Sequence, residues 1–144
     1  MTVTQLSVYI ENKPGKLAEV ISRLSAAEIN IRALSLADTS DFGLVRLIVS
    51  DAEKAKKLLG EMTLVSTNNV LAVEMADRSG ALSDVLAAMD NQDVNVEYMY
   101  AFAGKQPLNA YVVMQVNDIA KAEEILQKNN IGTLCDADLL ESLN

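Results

Sequence analysis

Glu11-Asn12-Lys13-Pro14-Gly15-Lys16-Leu17 returns later in the chain as Ala76-Asp77-Arg78-Ser79-Gly80-Ala81-Leu82, and this echo decides the fold. Sliding the chain on itself by 65 positions puts Gly15 on Gly80, Leu17 on Leu82 and Val20-Ile21 on Val85-Leu86. The same shift puts Leu24 on Met89, and Ile29-Asn30-Ile31 on Val94-Asn95-Val96. Two inserted residues change the offset to 67, after which Asp51 meets Asp118, Ala55 meets Ala122 and Leu58-Leu59 meets Ile125-Leu126. Gly, Asn and Asp held in register over that length mark an internal duplication.

Outward from the first turn, each copy reads as the same series of elements. Leu6, Val8 and Ile10 alternate with Ser7, Tyr9 and Glu11, the period of a strand. Pro14 suits a first helical turn, because its φ is helix-compatible and it has no N–H to lose there. Leu17, Val20, Ile21 and Leu24 then fall on one helix stripe, which Leu82, Val85, Leu86 and Met89 repeat. Asn30 begins a second strand running to about Asp38, the polar stretch Asp38–Gly43 turns the chain, and Leu44–Val49 makes a third strand. Ser50 and Glu53 have the spacing of a capping box, so a second helix starts there with Ala55, Leu58, Leu59 and Met62 as its stripe. A short strand near Leu64–Thr67 closes the unit. The expected class is α+β: two tandem ferredoxin-like βαββαβ domains, at 1–67 and 70–144, each an antiparallel sheet with helices packed on one face. The join falls around Ser66-Thr67-Asn68-Asn69.

Composition narrows the chemistry. The chain has 144 residues, half of them apolar, which supplies a core and excludes disorder. No apolar run approaches the roughly 18 residues of a membrane span. Met1-Thr2-Val3-Thr4-Gln5 lacks the charged and apolar regions of a signal peptide, so the expected location is the cytoplasm. A formal net charge of −8 opposes nucleic-acid binding. The densest basic cluster, Lys54, Lys56 and Lys57, is interleaved with Glu53 and Glu61 and reads as a solvated helix face. There is no histidine and one cysteine, Cys135, which excludes an internal disulfide and a thiolate metal cluster. Without histidine the commonest general base is missing, and Cys135 has nothing of that kind to activate it. No catalytic residue, metal or cofactor is expected, and the chain reads as a binding protein that is not an enzyme.

The binding chemistry points to the turns. Each places an Asx residue three positions before a glycine at the mouth of a helix. N–H groups of a first helical turn have no intrahelical partner and carry partial positive charge, so they can hold a carboxylate. Glycine lets a ligand approach closely. Asn12 or Asp77 can accept hydrogen bonds from a ligand ammonium group. The competing reading is that both Asx residues cap the turn. Asn30 and Asn95 are polar residues between apolar neighbours at the head of a strand, where Asn is disfavoured. Tyr98, Tyr100 and Phe102 recur at period 2 where the first copy has Ala33, Ser35 and Ala37, a stripe for packing or for a pocket that takes a bulky side chain.

Glu11-Asn12-Lys13-Pro14-Gly15-Lys16-Leu17 followed by Ile29-Asn30-Ile31 resembles the ACT domain, and is similar to the serine-sensing regulatory domain of phosphoglycerate dehydrogenases. The resemblance covers both copies and nearly the whole chain. It implies a ligand held between two ACT domains, with the turn Asn and Gly from one and the second-strand Asn from the other. Carried over, it implicates Asn12, Gly15 and Asn30, and Asp77, Gly80 and Asn95. Their neighbours Lys13, Pro14, Lys16, Leu17 and Ile31, and Arg78, Ser79, Ala81, Leu82 and Val96, complete the candidate ligand-binding set. Two departures stand out. The serine sensors carry a ligand-binding His two residues before the turn Asn, where this chain has Ile10 and Met75. Asp77 is anionic, so the two sites are not equal. The implied function is an amino-acid or small-metabolite sensor, a homodimer that modulates a separate metabolic enzyme or pathway. The alternative is a protein–protein interaction module that pairs its edge strands without a small-molecule ligand.

Overall fold

A computed structural model describes residues 1–38 and 41–141. The elements are β1 (Val3–Glu11), α1 (Lys16–Ala26), β2 (Ile31–Asp38), β3 (Phe42–Val49), α2 (Ala52–Gly60) and β4 (Val65–Ala76). They continue as α3 (Ala81–Asp90), β5 (Val96–Phe102), β6 (Asn109–Val116), α4 (Ile119–Lys128), β7 (Gly132–Leu134) and α5 (Asp136–Glu141). Thr39 and Ser40, at the centre of the predicted turn, lie outside the described residues, as does the end of the second copy from residue 142.

The chain divides into one unit of Thr4–Asn68 and another of Met1–Val3 with the chain from Asn69 onward. In the first, the strand order is β2-β3-β1-β4. Leu6 stands opposite Leu47 and Val8 opposite Val45, while Leu34 and Leu36 of β2 face the same two β3 residues from the other side. In the second, β6 lies between β5 and β4, and β7 pairs the other edge of β4. Both are the predicted α+β ferredoxin-like order, antiparallel throughout. Among the described residues, no helix is long and apolar enough to cross a membrane.

The core shows why the two copies fold alike. Leu6, Val8, Val20, Leu24, Ile29, Val45, Leu47, Ala55 and Leu59 form the buried cluster of the first unit. Every one has a buried counterpart in the second: Leu71, Val73, Val85, Met89, Val94, Val112, Met114, Ala122 and Leu126. Alternate strand residues and the i, i+4 helix stripe meet on one face of each sheet.

Several details correct the sequence reading. The predicted strand near Leu64–Thr67 and the first strand of copy two are one 12-residue strand, β4, so the join at Ser66–Asn69, where the two units divide, is made by continuous strand and not by a loop. Asn68 is tolerated in that strand because its Oδ1 accepts from Gln5 Nε2 at 3.3 Å, and Gln5 is fully buried. Pro14 precedes the helix: α1 starts at Lys16 with Gly15 as its N-cap. Ser50 does not cap α2. Asp51, in extended backbone, accepts from Lys54 N at 3.1 Å, and Asp118 does the same for α4 from Lys121 N at 3.1 Å. Both β2 and β5 carry a register shift, between Ile31 and Ala33 and between Val96 and Tyr98. Beyond the second shift, Tyr98, Tyr100 and Phe102 stand opposite Gln115, Val113 and Tyr111, the face of the sheet away from α3 and α4. The ring centroids of Phe102 and Tyr111 are 5.4 Å apart.

Two features had no sequence signal. A Cβ on Gly104 would come 2.1 Å from the Tyr111 ring, whose hydroxyl accepts from Gln106 N–H and donates to Glu74 Oε1 at 3.1 Å each. The short helix α5 begins where Cys135 N–H donates to Asp138 Oδ2 at 2.8 Å, a bond that lowers the pKa of the Asp138 carboxyl.

Leu24→Ala and Met89→Ala each empty a fully enclosed core position, and each is expected to lower the unfolding free energy by about 2–5 kcal/mol in urea titrations. Gly104→Ala is expected to lower the melting temperature as well, since the Tyr111 ring is anchored at its hydroxyl and has no room to retreat.

Candidate ligand-binding site

The two turns are superimposable in their bonding. Lys13 N–H donates to Glu11 O at 2.9 Å and Lys16 N–H to Lys13 O at 3.3 Å; Arg78 N–H donates to Ala76 O at 2.9 Å and Ala81 N–H to Arg78 O at 3.3 Å. Asn12 N–H reaches Asp41 O at 3.2 Å, and Asp77 N–H reaches Leu108 O at 3.0 Å. Gly15 and Gly80 have φ of 86° and 90°, a left-handed conformation that L side chains resist. A Cβ on Gly15 would meet nothing within 4 Å, so the space above it is open. No side chain caps α1 or α3, in contrast to the Asp-capped α2 and α4. Apart from the Lys16 and Ala81 N–H groups, which the turn carbonyls take, the first-turn N–H groups at both glycine mouths therefore have no side-chain cap.

Around each turn the charges pair locally. Lys13 Nζ lies 2.9 Å from Glu11 Oε2, which holds the Glu11 carboxyl below its ordinary pKa and raises Lys13 above its own. In the second copy Arg78 ties the turn to its helix instead, with Nη2 2.9 Å from Asp84 Oδ2 and Nη1 3.1 Å from Ser79 O.

Asn30 and Asn95 immediately precede β2 and β5 rather than lying in them. Asn30 N–H donates to Ser50 Oγ at 2.9 Å, and Ser50 N–H returns to Asn30 O at 2.9 Å. Asn95 N–H donates to Asn117 Oδ1 at 2.9 Å, and Asn117 N–H to Asn95 O at 3.1 Å. Ser50 is thus drawn from the predicted cap to the strand head. These bonds use the backbone of Asn30 and Asn95. Among the described residues, the side chains of Asn12, Asp77, Asn30 and Asn95 are all exposed and engaged in no hydrogen bond. The capping role for the turn Asx side chains is not what they perform.

Within one unit the turn and the strand head lie apart. Asn12 sits beside Asp41, just before β3, and Asn30 beside Ser50, just after it. The eight residues of β3 separate them, about 26 Å at 3.3 Å per residue. Asp77 and Asn95 are separated likewise by β6.

A hollow adjoins each turn at equivalent positions. In the first unit it measures about 130 Å³, between Tyr9, Glu11, Lys16, Glu19 and Thr63. In the second it widens to about 350 Å³ and is bordered by Glu74, Arg78, Asp84, Asn109 and Asn130. Glu74, in the place of Tyr9, accepts from Asn109 Nδ2 and Tyr111 OH through the same oxygen, Oε1. A separate open groove of about 680 Å³ runs along α3 and gathers Leu82, Asn95 and Val96. Arg78 and Ala81 therefore border one cavity, and Leu82, Asn95 and Val96 another.

Sequence reasoning passed over Arg32, in the β2 bulge. Its Nε and Nη2 are buried with no hydrogen-bond partner, and burial lowers its pKa. The available signal was its counterpart under the 65-residue shift, Glu97, a charge inversion in otherwise apolar surroundings.

The ACT domain pair family matches residues 1–143 of this chain. Among solved structures the chain is similar to protein BT0572 from Bacteroides thetaiotaomicron, with 37% identity and a TM-score of 0.91, over 97% of this chain and 96% of that one. It is similar in fold to the ligand-free regulatory subunit of aspartate kinase from Thermus thermophilus, at 15% identity and TM-score 0.67 over 88% and 90% of the two chains. The corresponding subunit from Thermus flavus gives 16% identity and TM-score 0.63 over 86% and 88%. No curated protein sequence matches the chain.

Backbone strain and side-chain availability predict opposite effects within one turn. Gly15→Ala is expected to cost about 1–2 kcal/mol of stability from its positive φ. Asn12→Ala, which removes no bond within the protein, is expected to stay within about 0.5 kcal/mol of wild type. Urea titration of both variants without ligand is the measurement.

Proposed function

This chain belongs to the ACT domain family as a pair of ACT domains, and we propose that it senses an amino acid or closely related metabolite and thereby modulates a separate enzyme. The observation that carries the reading is the set of four exposed Asx side chains, duplicated in position and bonded to nothing in the described residues, beside uncapped helix mouths. In this reading a ligand carboxylate accepts from the first-turn N–H groups at Gly15 or Gly80, and its ammonium group donates to the side-chain oxygen of Asn12 or Asp77. Asn30 or Asn95 completes the contact. Because turn and strand head lie at opposite ends of one sheet, they must come from different ACT domains.

A ligand that bridges two domains binds only the arrangement in which both are in place, and so shifts the population toward it. A homodimer brings further turns and strand heads together. The regulatory subunits of aspartate kinase share this fold, which supports a regulatory chain acting on a separate enzyme. Ile10 and Met75 stand where serine sensors carry histidine, so serine itself is not the favoured ligand. The missing histidine also supports a role without catalysis.

A thermal-shift screen against the twenty amino acids tests the reading. A true ligand at about a hundred times its Kd should add about 2.7 kcal/mol of stability, several degrees of melting temperature at roughly 2–4 °C per kcal/mol. Asn12→Ala should weaken binding by about 1–3 kcal/mol while leaving the apo melting point in place. If no amino acid moves the melting point and the chain still self-associates by light scattering, the edge-strand interaction module is the better account. A monomer of 15.6 kDa in the presence of ligand would contradict the proposed dimer.

A further inference from the structure

The hollows beside the two turns are bordered by equivalent positions that differ in chemistry. Under the 65-residue shift Glu74 takes the place of Tyr9, and Ala81 that of Lys16. Under the 67-residue offset Asn129 takes the place of Met62. The first hollow thus has the chain's own ammonium group on its border, at Lys16, and Lys13 first and Lys16 after it hold the Glu11 carboxyl below its ordinary pKa. In the second that lysine is cut back to alanine, Glu11 becomes Ala76, and a carboxylate stands at Glu74 instead. The volume rises from about 130 to about 350 Å³. Small-molecule sites begin at roughly 300 Å³, so only the second hollow is large enough for one. Its border runs from Glu74 to Ile131, inside a single unit.

The hydrogen bonds already made around this cavity define what a ligand must bring. Glu74 accepts from Asn109 and from Tyr111 through Oε1 alone, so among the described residues its Oε2 has no partner. The Asn109 amide nitrogen donates to that carboxylate, and the Asn129 amide nitrogen donates to Ile125 O at 2.8 Å. Donation fixes which way each amide is turned and leaves both side-chain oxygens as the unused groups. Among the described residues Arg78 is the one cation on the border, and Asp84 neutralises it at 2.9 Å. What remains is three acceptor oxygens and the uncompensated charge of Glu74, beside apolar Met75, Val85 and Ile131. Acceptors without donors recognise a donor, and a net negative charge selects a cation.

We infer that this cavity is a further binding site of the chain, for a small aliphatic amine. The ammonium group donates to Glu74 Oε2, with the side-chain oxygen of Asn109 or Asn129 as a further acceptor, and the hydrocarbon stem packs on Met75, Val85 and Ile131. The ligand supplies from outside the charge that Lys16 supplies from within the first unit. This site uses neither the turn Asx side chains nor the strand heads, so it goes beyond the amino-acid reading above and does not rest on it.

The probe is the five-carbon diamine cadaverine, which has no carboxylate and so cannot use the helix mouths; the five-carbon dianion glutarate is the control. In isothermal titration of the full chain, wild type is expected to bind cadaverine, more weakly as salt rises, and to ignore glutarate. Glu74→Gln keeps an acceptor oxygen for Asn109 and Tyr111 and should lose about tenfold to a hundredfold in affinity. Ala81→Lys places in the second hollow the side chain that Lys16 gives the first, and should abolish binding. Melting points of both variants without ligand show whether each still folds, and the amide NMR spectrum of wild type locates the site without any variant. Shifts clustered at Ala81, Asn109 and Asn129 on adding cadaverine support the inference; shifts spread over the acidic helix faces mean a loose counterion and overturn it. Equal binding of glutarate, no response to cadaverine, or wild-type affinity in folded Glu74→Gln or Ala81→Lys also overturns it. If amino acids raise the melting point while cadaverine does not bind, the sensing reading stands and this site fails; the reverse result leaves this site standing and removes that reading.

Discussion

Leu6 and Val8 of β1 and Val45 and Leu47 of β3 make a flat apolar face, and Val20, Leu24, Ala55 and Leu59 of the two helices cover it. Removing a large aliphatic side chain from water contributes about 1.5–3 kcal/mol each, so the eight Leu, Val and Ile positions of this cluster outweigh any single polar contact in the unit. The other features of the unit are arranged around this contact. It sets which helix faces turn outward, and it places α1 so that its N-terminus emerges at the glycine turn. The second unit satisfies the same requirement with Met89 for Leu24 and Met114 for Leu47, small changes of shape that close packing accommodates.

The connection from β1 through α1 to β2 leaves those two strands parallel with β3 between them. Parallel strands present like termini at each end of the sheet, so the C-terminus of one and the N-terminus of the other lie at opposite ends. The end of β1 and the start of β2 are therefore separated by the length of β3, whatever residues stand there. This is a property of topology: within one unit the turn and the strand head stay at opposite ends of the sheet.

The copies share their apolar positions and diverge in their polar ones. Tyr9 becomes Glu74, Asn12 becomes Asp77 and Arg32 becomes Glu97 under one 65-residue shift. Core positions tolerate little because a neighbour on every side must fit. Positions on turns and strand heads outside the core clusters carry less of this constraint and are free to specialise. The backbone beneath them is held the same way in both copies, by the Gly15 and Gly80 conformation and by the Asp51 and Asp118 caps.

The sequence by itself determined the duplication, the order of elements and the core, because helix and strand periods report burial directly and the repeat reads every position twice. It also singled out the turns, since glycine preceded by an Asx residue at the mouth of an apolar helix stripe has few explanations. Tertiary structure decided the rest. Whether Ser50 or Asp51 caps α2 depended on Asn30, twenty residues away, claiming the serine hydroxyl. The repeat placed the join at Ser66–Asn69, where the units do divide, but pairing with β1 on one part and with β6 and β7 on the other made β4 a single strand through it. The bulges that carry Arg32 and Glu97 arise from strand register, which no local pattern specifies. An unpaired guanidinium is likewise invisible in one dimension, since pairing is a matter of which groups the folded chain brings within reach.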